Sequence, residues 1–87
     1  MSAVTVRYFA SLRERLGTER ETVAVPEAGA TLADLLELLV GCHGESVLEL
    51  LTGPGVRIAV NDALVEGDPG RLAPGDVVAF LPPVTGG

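Results

Sequence analysis

Apolar and polar positions alternate in Val4-Thr5-Val6-Arg7-Tyr8-Phe9, which puts Val4, Val6 and Tyr8 on one face of a strand and Thr5, Arg7 and Phe9 on the other. That pattern predicts a half-buried strand. Leu12 and Leu16, four apart, predict a short helix over 11–16, with Ser11 as its candidate cap and Gly17 as its stop. Glu21 to Val25 reads as a second strand with Val23 and Val25 inward, ended by Pro26. It suits a hairpin or an offset antiparallel pair with the first.

The period then changes. Leu32, Leu35, Leu36, Leu39 and Val40 fall at i, i+3, i+4, i+7 and i+8, the apolar stripe of an amphipathic helix. Thr31 is placed to cap it, and Asp34 stands where a capping box puts an acid. Gly41 and Gly44 end or bend this helix before a second short one, Glu45 to Leu51, stopped by Gly53-Pro54-Gly55. Val56, Ile58 and Val60 alternate with polar or small neighbours, and a turn at Asn61-Asp62 leads into Ala63-Leu64-Val65. Ala73-Pro74-Gly75-Asp76 suits a type II turn, with Pro at i+1 and Gly at i+2. The last strand is Val77 to Leu81, with Val78 and Phe80 in the core and Leu81 sharing the outward parity of Phe9. Strands around one long helix make an α+β roll: a single domain over 1–81 and a tail over 82–87.

Composition narrows the function. Eighty-seven residues support one core and leave no room for separate substrate and cofactor domains. Twelve carboxylates against six arginines and no lysine give a net charge of -6. That charge disfavours nucleic acid and anionic membrane as partners. Without lysine there is no Schiff-base or P-loop chemistry. The lone Cys42 forms no internal disulfide, and neither a secretory signal nor a membrane-length apolar run is visible, so the chain reads as cytoplasmic.

The chemistry points to the tail. Pro82 and Pro83 fix φ and lack the N–H of a strand ladder, so the chain leaves the sheet there and points away from it. Val84, Thr85, Gly86 and Gly87 follow with nothing to bury them. Two glycines let enclosing walls approach the backbone, and stiff prolines reduce the entropy lost when the tail is ordered in a partner.

The run Gly75-Asp76-Val77-Val78-Ala79-Phe80-Leu81-Pro82-Pro83-Val84-Thr85-Gly86-Gly87 resembles the C-terminal signature of the MoaD family, the small sulfur-carrying subunits of molybdopterin synthase. Tyr8-Phe9-Ala10 with Arg13-Glu14, and Ala59-Val60-Asn61 with Leu64-Val65, resemble its opening segment and central hairpin. The resemblance implies a ubiquitin-like β-grasp fold, a mixed sheet packed on one main helix. It implies that an adenylating partner, similar to ubiquitin-activating enzymes, uses ATP to turn the Gly87 carboxylate into an acyl adenylate. A sulfur donor then replaces AMP to leave a thiocarboxylate. Activation is needed because a carboxylate is a poor electrophile, and the sulfur formed is anionic and nucleophilic, as a thiolate is.

The family further implies that Gly87, passed inward by Gly86, delivers sulfur to a pyranopterin precursor inside the large synthase subunit, in a heterotetramer. The positions of Phe9, Leu64 and Leu81 would form the apolar patch that docks on both partners, with Pro82, Pro83, Val84 and Thr85 as the tail these partners grip. Arg13 would add an ion pair. On this reading the chain binds no cofactor or metal and is a non-catalytic, sulfur-donating subunit.

Cys42 beside His43 invites a nucleophile or zinc reading, but neighbours on a helix diverge by about 100° and two ligands are too few for a closed zinc site. The remaining alternatives are a sulfur carrier for thiamin or cysteine biosynthesis, a ubiquitin-like modifier joined to lysines through Gly87, and a plain interaction module.

Overall fold

The computed structural model describes residues 2–83. Strand β1 (Ala3–Tyr8) leads through α1 (Ala10–Leu16) to β2 (Arg20–Ala24), and a two-residue β3 (Ala30–Thr31) precedes α2 (Leu32–His43) and α3 (Ser46–Thr52). Then come β4 (Arg57–Val60), β5 (Ala63–Val65), β6 (Arg71–Leu72) and β7 (Val77–Leu81). Five strands form one sheet in the order β2-β1-β7-β4-β5, parallel between β1 and β7 and antiparallel elsewhere. This is the expected mixed sheet, and its two parallel strands come from opposite ends of the domain.

The period-two pattern predicts the buried face correctly. Val4, Val6 and Tyr8 of β1 and Val78 and Phe80 of β7 are buried against Leu35 and Leu39 of α2 and Val47 and Leu51 of α3. Burying side chains of this size contributes about 1.5–3 kcal/mol each. The Tyr8 and Phe80 rings stack with centroids 6.2 Å apart.

Local signals were equally direct at the caps and turns. Thr31 Oγ1 accepts from the Asp34 N–H while the Thr31 N–H donates to Asp34 Oδ2, both at 3.1 Å, which completes the capping box of α2. Asn61 and Asp62 take φ of 50° and 70°, the type I′ geometry of a two-residue hairpin between β4 and β5. The Asp76 N–H donates to the Ala73 carbonyl at 3.0 Å with Gly75 at φ 92°, as the type II turn requires.

Two local expectations need correction. Ser11 does not cap α1. The extended backbone of Phe9 does so, its carbonyl accepting from the N–H groups of Leu12 at 3.0 Å and Arg13 at 3.4 Å. Of the two glycines expected to end α2, Gly44 does so as its C-cap, but Gly41 does not, because burial of Leu39 outweighs the roughly 1 kcal/mol penalty of one helical glycine. The β3–β6 pair went unseen, since two residues per strand show no period. It forms where Gly29, at φ 89°, lies against the Leu72 carbonyl, and where Arg71 Nη1 donates to the Gly29 carbonyl at 3.2 Å.

Candidate functional site

The sheet face away from α2 is uncovered. Among its residues, all of the opposite parity, are Arg20 from β2, Thr5, Arg7 and Phe9 from the β1 side, Val77, Ala79 and Leu81 from β7, Arg57 and Ala59 from β4, and Leu64 from β5. Leu64 is 55% exposed, the most exposed large apolar residue among the described ones. Phe9 and Leu81 are half-buried.

These residues converge on the root of the tail. Phe9, Leu64, Leu81, Pro82 and Pro83 line one shallow groove together with Ala10, Gly55 and Arg57. Five residues singled out from the sequence are therefore brought together from three separate stretches of chain. The chain reverses sharply after Phe9, with Ala10 at φ 48°, so that α1 turns away and the aromatic ring stays at the rim. The Arg7 guanidinium lies 4.8 Å from the Phe9 ring centroid, a cation–π contact that orients both side chains.

Gly55 is a site residue that the sequence pattern does not reveal, since there it marks only a helix stop. Its φ is +82°, and a Cβ there would fall 2.7 Å from the Pro83 Cβ. The glycine is thus the seat on which the departing chain rests. The available signal was the Gly-Pro-Gly triplet, but its contact with Pro83, 28 positions later, is a property of the fold. Arg13, by contrast, is exposed on α1 and is not among the residues lining the groove, where Arg57 stands instead. Val84, Thr85, Gly86 and Gly87 lie outside the described residues.

On the covered side, His43 at the end of α2 reaches across to β2. Its Nε2 lies 2.6 Å from Glu21 Oε2, and the same oxygen accepts from the Tyr8 hydroxyl at 2.7 Å. Cys42 is exposed. Burial raises the Tyr8 pKa well above the ordinary phenol value, and the hydrogen bond and charge of Glu21 add to the rise. The phenol therefore remains a donor that ties β1 to β2 and, through His43, to the end of α2.

Residues 6–87 match the ThiS family. The chain belongs to the ThiS family, which includes the MoaD-type carriers it resembles. The molybdopterin synthase sulfur carrier subunit of Escherichia coli is 36% identical over 84 residues, covering 97% of this chain and 99% of that protein. The crystal structure of SAMP1, a small archaeal modifier protein from Haloferax volcanii, superposes with a TM-score of 0.78 at 30% identity, covering 98% of this chain and 99% of SAMP1. A complex of subunits 1 and 2 of the molybdopterin-converting factor from Helicobacter pylori contains a chain matched at TM-score 0.66 and 30% identity, with 98% and 99% coverage. This ThiS-family chain has the β-grasp fold of its ubiquitin-like neighbours, and none of its described helices is long and apolar enough to cross a membrane.

Proposed function

We propose that this chain is the sulfur carrier of molybdopterin synthase, a co-substrate whose Gly87 carboxylate is the reacting group. The observation that supports this reading most strongly is the convergence of Phe9, Leu64 and Leu81 on Pro82 and Pro83 at the point where β7 leaves the sheet. An apolar cluster beside a directed tail anchors the domain on a partner while the Gly-Gly end reaches inward.

In the first step the carboxylate attacks the α-phosphorus of ATP held by an adenylating partner and expels pyrophosphate. In the second, a sulfide-level nucleophile from a sulfur donor attacks the acyl carbon and AMP departs with the C–O bond electrons, leaving the thiocarboxylate. The large synthase subunit then receives the tail and presents the sulfur to the pyranopterin precursor. The paired subunits of the Helicobacter pylori complex support that partnership.

Intact-mass spectrometry after incubation with an adenylating enzyme, ATP and a sulfur donor tests the reading. The expected result is an oxygen-to-sulfur mass change, lost on deletion of Gly87 and reversed when the large subunit and precursor are added. Absence of the change, or its persistence without Gly87, overturns the proposal. The likeness to SAMP1 supports a second reading, conjugation to lysines of target proteins. Isopeptide-linked adducts of Gly87 in the same assay would favour it.

A further inference from the structure

The open sheet face carries an arginine pair that the apolar groove does not account for. The register of β1 and β2 sets Arg7 directly opposite Arg20. The Tyr8 N–H donates to the Glu19 carbonyl at 3.0 Å, so Tyr8–Glu19 is a hydrogen-bonded pair and Arg7–Arg20 is a non-hydrogen-bonded one. Side chains stand closer in the latter class, about 4.5 Å between backbone Cα atoms, and like charges directly opposite destabilise a sheet.

Both arginines are exposed, and among the described residues the ion pair found is His43–Glu21, on the other face. Asp62, at the hairpin tip, lines the same hollow as Arg7 without forming an ion pair with it. An anionic chain thus holds two of its six arginines side by side, unneutralised.

Pairing also places the two charges relative to the docking patch. Following the partners across the sheet gives one continuous row, Arg20, Arg7, Ala79, Ala59, Leu64. The arginine pair and the exposed Leu64 are the two ends of this row, and the alanines between them form a low floor. A partner seated on Leu64 and Phe9 must therefore cover Arg7 and Arg20 or stand just beside them.

We infer that Arg7 and Arg20 receive carboxylates of the large synthase subunit docked over Phe9, Leu64 and Leu81, and that this contact sets the register of docking. The inference rests on the docking reading above. A local acidic cluster meeting the arginine pair selects one orientation, and it relieves the repulsion that the free chain carries.

The test measures association of Arg7→Gln, Arg20→Gln and the double Arg7→Glu, Arg20→Glu variant with the recombinant large subunit, at low and high salt. Each glutamine variant should slow association about three- to tenfold at low salt, the double variant more, and the differences should shrink at high salt. Melting temperatures of the free variants should be equal to or above that of the parent. Arg20→Gln isolates the charge, since it leaves the Arg7–Phe9 contact intact. Leu64→Ser serves as the apolar reference.

If Leu64→Ser weakens binding while the arginine variants associate at the parental rate and with parental salt dependence, the docking reading stands and this inference is wrong. If neither set alters binding, the docking reading fails and takes the inference with it. A fall in melting temperature that accounts for the lost binding would assign the arginines a structural role instead and overturn it.

Discussion

The two faces of the central sheet are built from the same strands and differ by one residue in parity. Val4, Val6, Tyr8, Val78 and Phe80 face α2 and α3 and are buried, whereas Arg7, Phe9, Ala79 and Leu81 face outward with Leu64 beside them. The covered face is apolar apart from the Tyr8 hydroxyl, which donates to Glu21, and the Glu21–His43 pair on the edge strand. The open face mixes a large exposed leucine, an aromatic ring, small residues and like charges, a composition that lowers stability slightly and suits recognition. Stability and recognition are thus separated by alternation alone, so substitutions one position apart should affect different properties.

The largest effect should follow from opening the covered face. Phe80→Ala removes a fully buried ring and should lower stability by about 3–5 kcal/mol in urea unfolding. A loss below about 1 kcal/mol would mean that the core is not where burial places it. Gly55→Ala comes next, at the junction of the two faces. A Cβ at φ +82° against Pro83 should cost about 1–3 kcal/mol by thermal melting and slow sulfur loading of the tail, because Pro83 must shift.

Tyr8→Phe should cost about 1 kcal/mol at neutral pH by removing the bond to Glu21. It should also change the alkaline limb of stability. The raised folded pKa means that the Tyr8 contribution is complete below the unfolded value of about 10 and is lost as pH rises beyond it, so the parent should weaken in base and the variant should not. Tyr8 is the chain's one tyrosine, so phenolate absorbance reports it alone. An ordinary titration in the folded chain would contradict the burial argument.

On the open face, Leu64→Ser should leave stability within about 0.5 kcal/mol while weakening partner association severalfold, which chemical denaturation and surface plasmon resonance measure side by side. The smallest effect belongs to the helix cap. The Thr31 backbone hydrogen bond holds the exposed Asp34 carboxyl below its usual value, so its contribution is present above the unfolded pKa of about 3.9 and disappears as pH falls through the lowered one. Asp34→Asn, which removes the titrating group, should flatten that segment of the acid unfolding curve.

Much of this was readable before folding. Alternation in 4–9 and 77–81 assigned both faces of β1 and β7, and Thr31 with Asp34 announced the start of α2. Phe9 and Leu81 were marked as outward by the same parity. The misses share one cause. Ser11 lost the cap to the backbone of Phe9, whose own N–H is anchored to the Phe80 carbonyl at 3.3 Å by the sheet. Glu21, read only as a strand residue, became the shared acceptor of Tyr8 and His43 across 13 and 22 positions of chain.

The sequence by itself determined which residues alternate, where helices and turns begin, and that the last strand ends in two prolines before Gly86 and Gly87. These depend on the local geometry of the chain, with repeats of two and 3.6 residues. Only the tertiary structure decided that β1 lies parallel to β7, that Phe9, Leu64 and Leu81 meet beside Pro83, that Gly55 seats that proline, and that Arg7 faces Arg20. Those contacts join residues far apart in the chain, and their register is selected by the burial of one sheet face as a whole, which no local segment encodes.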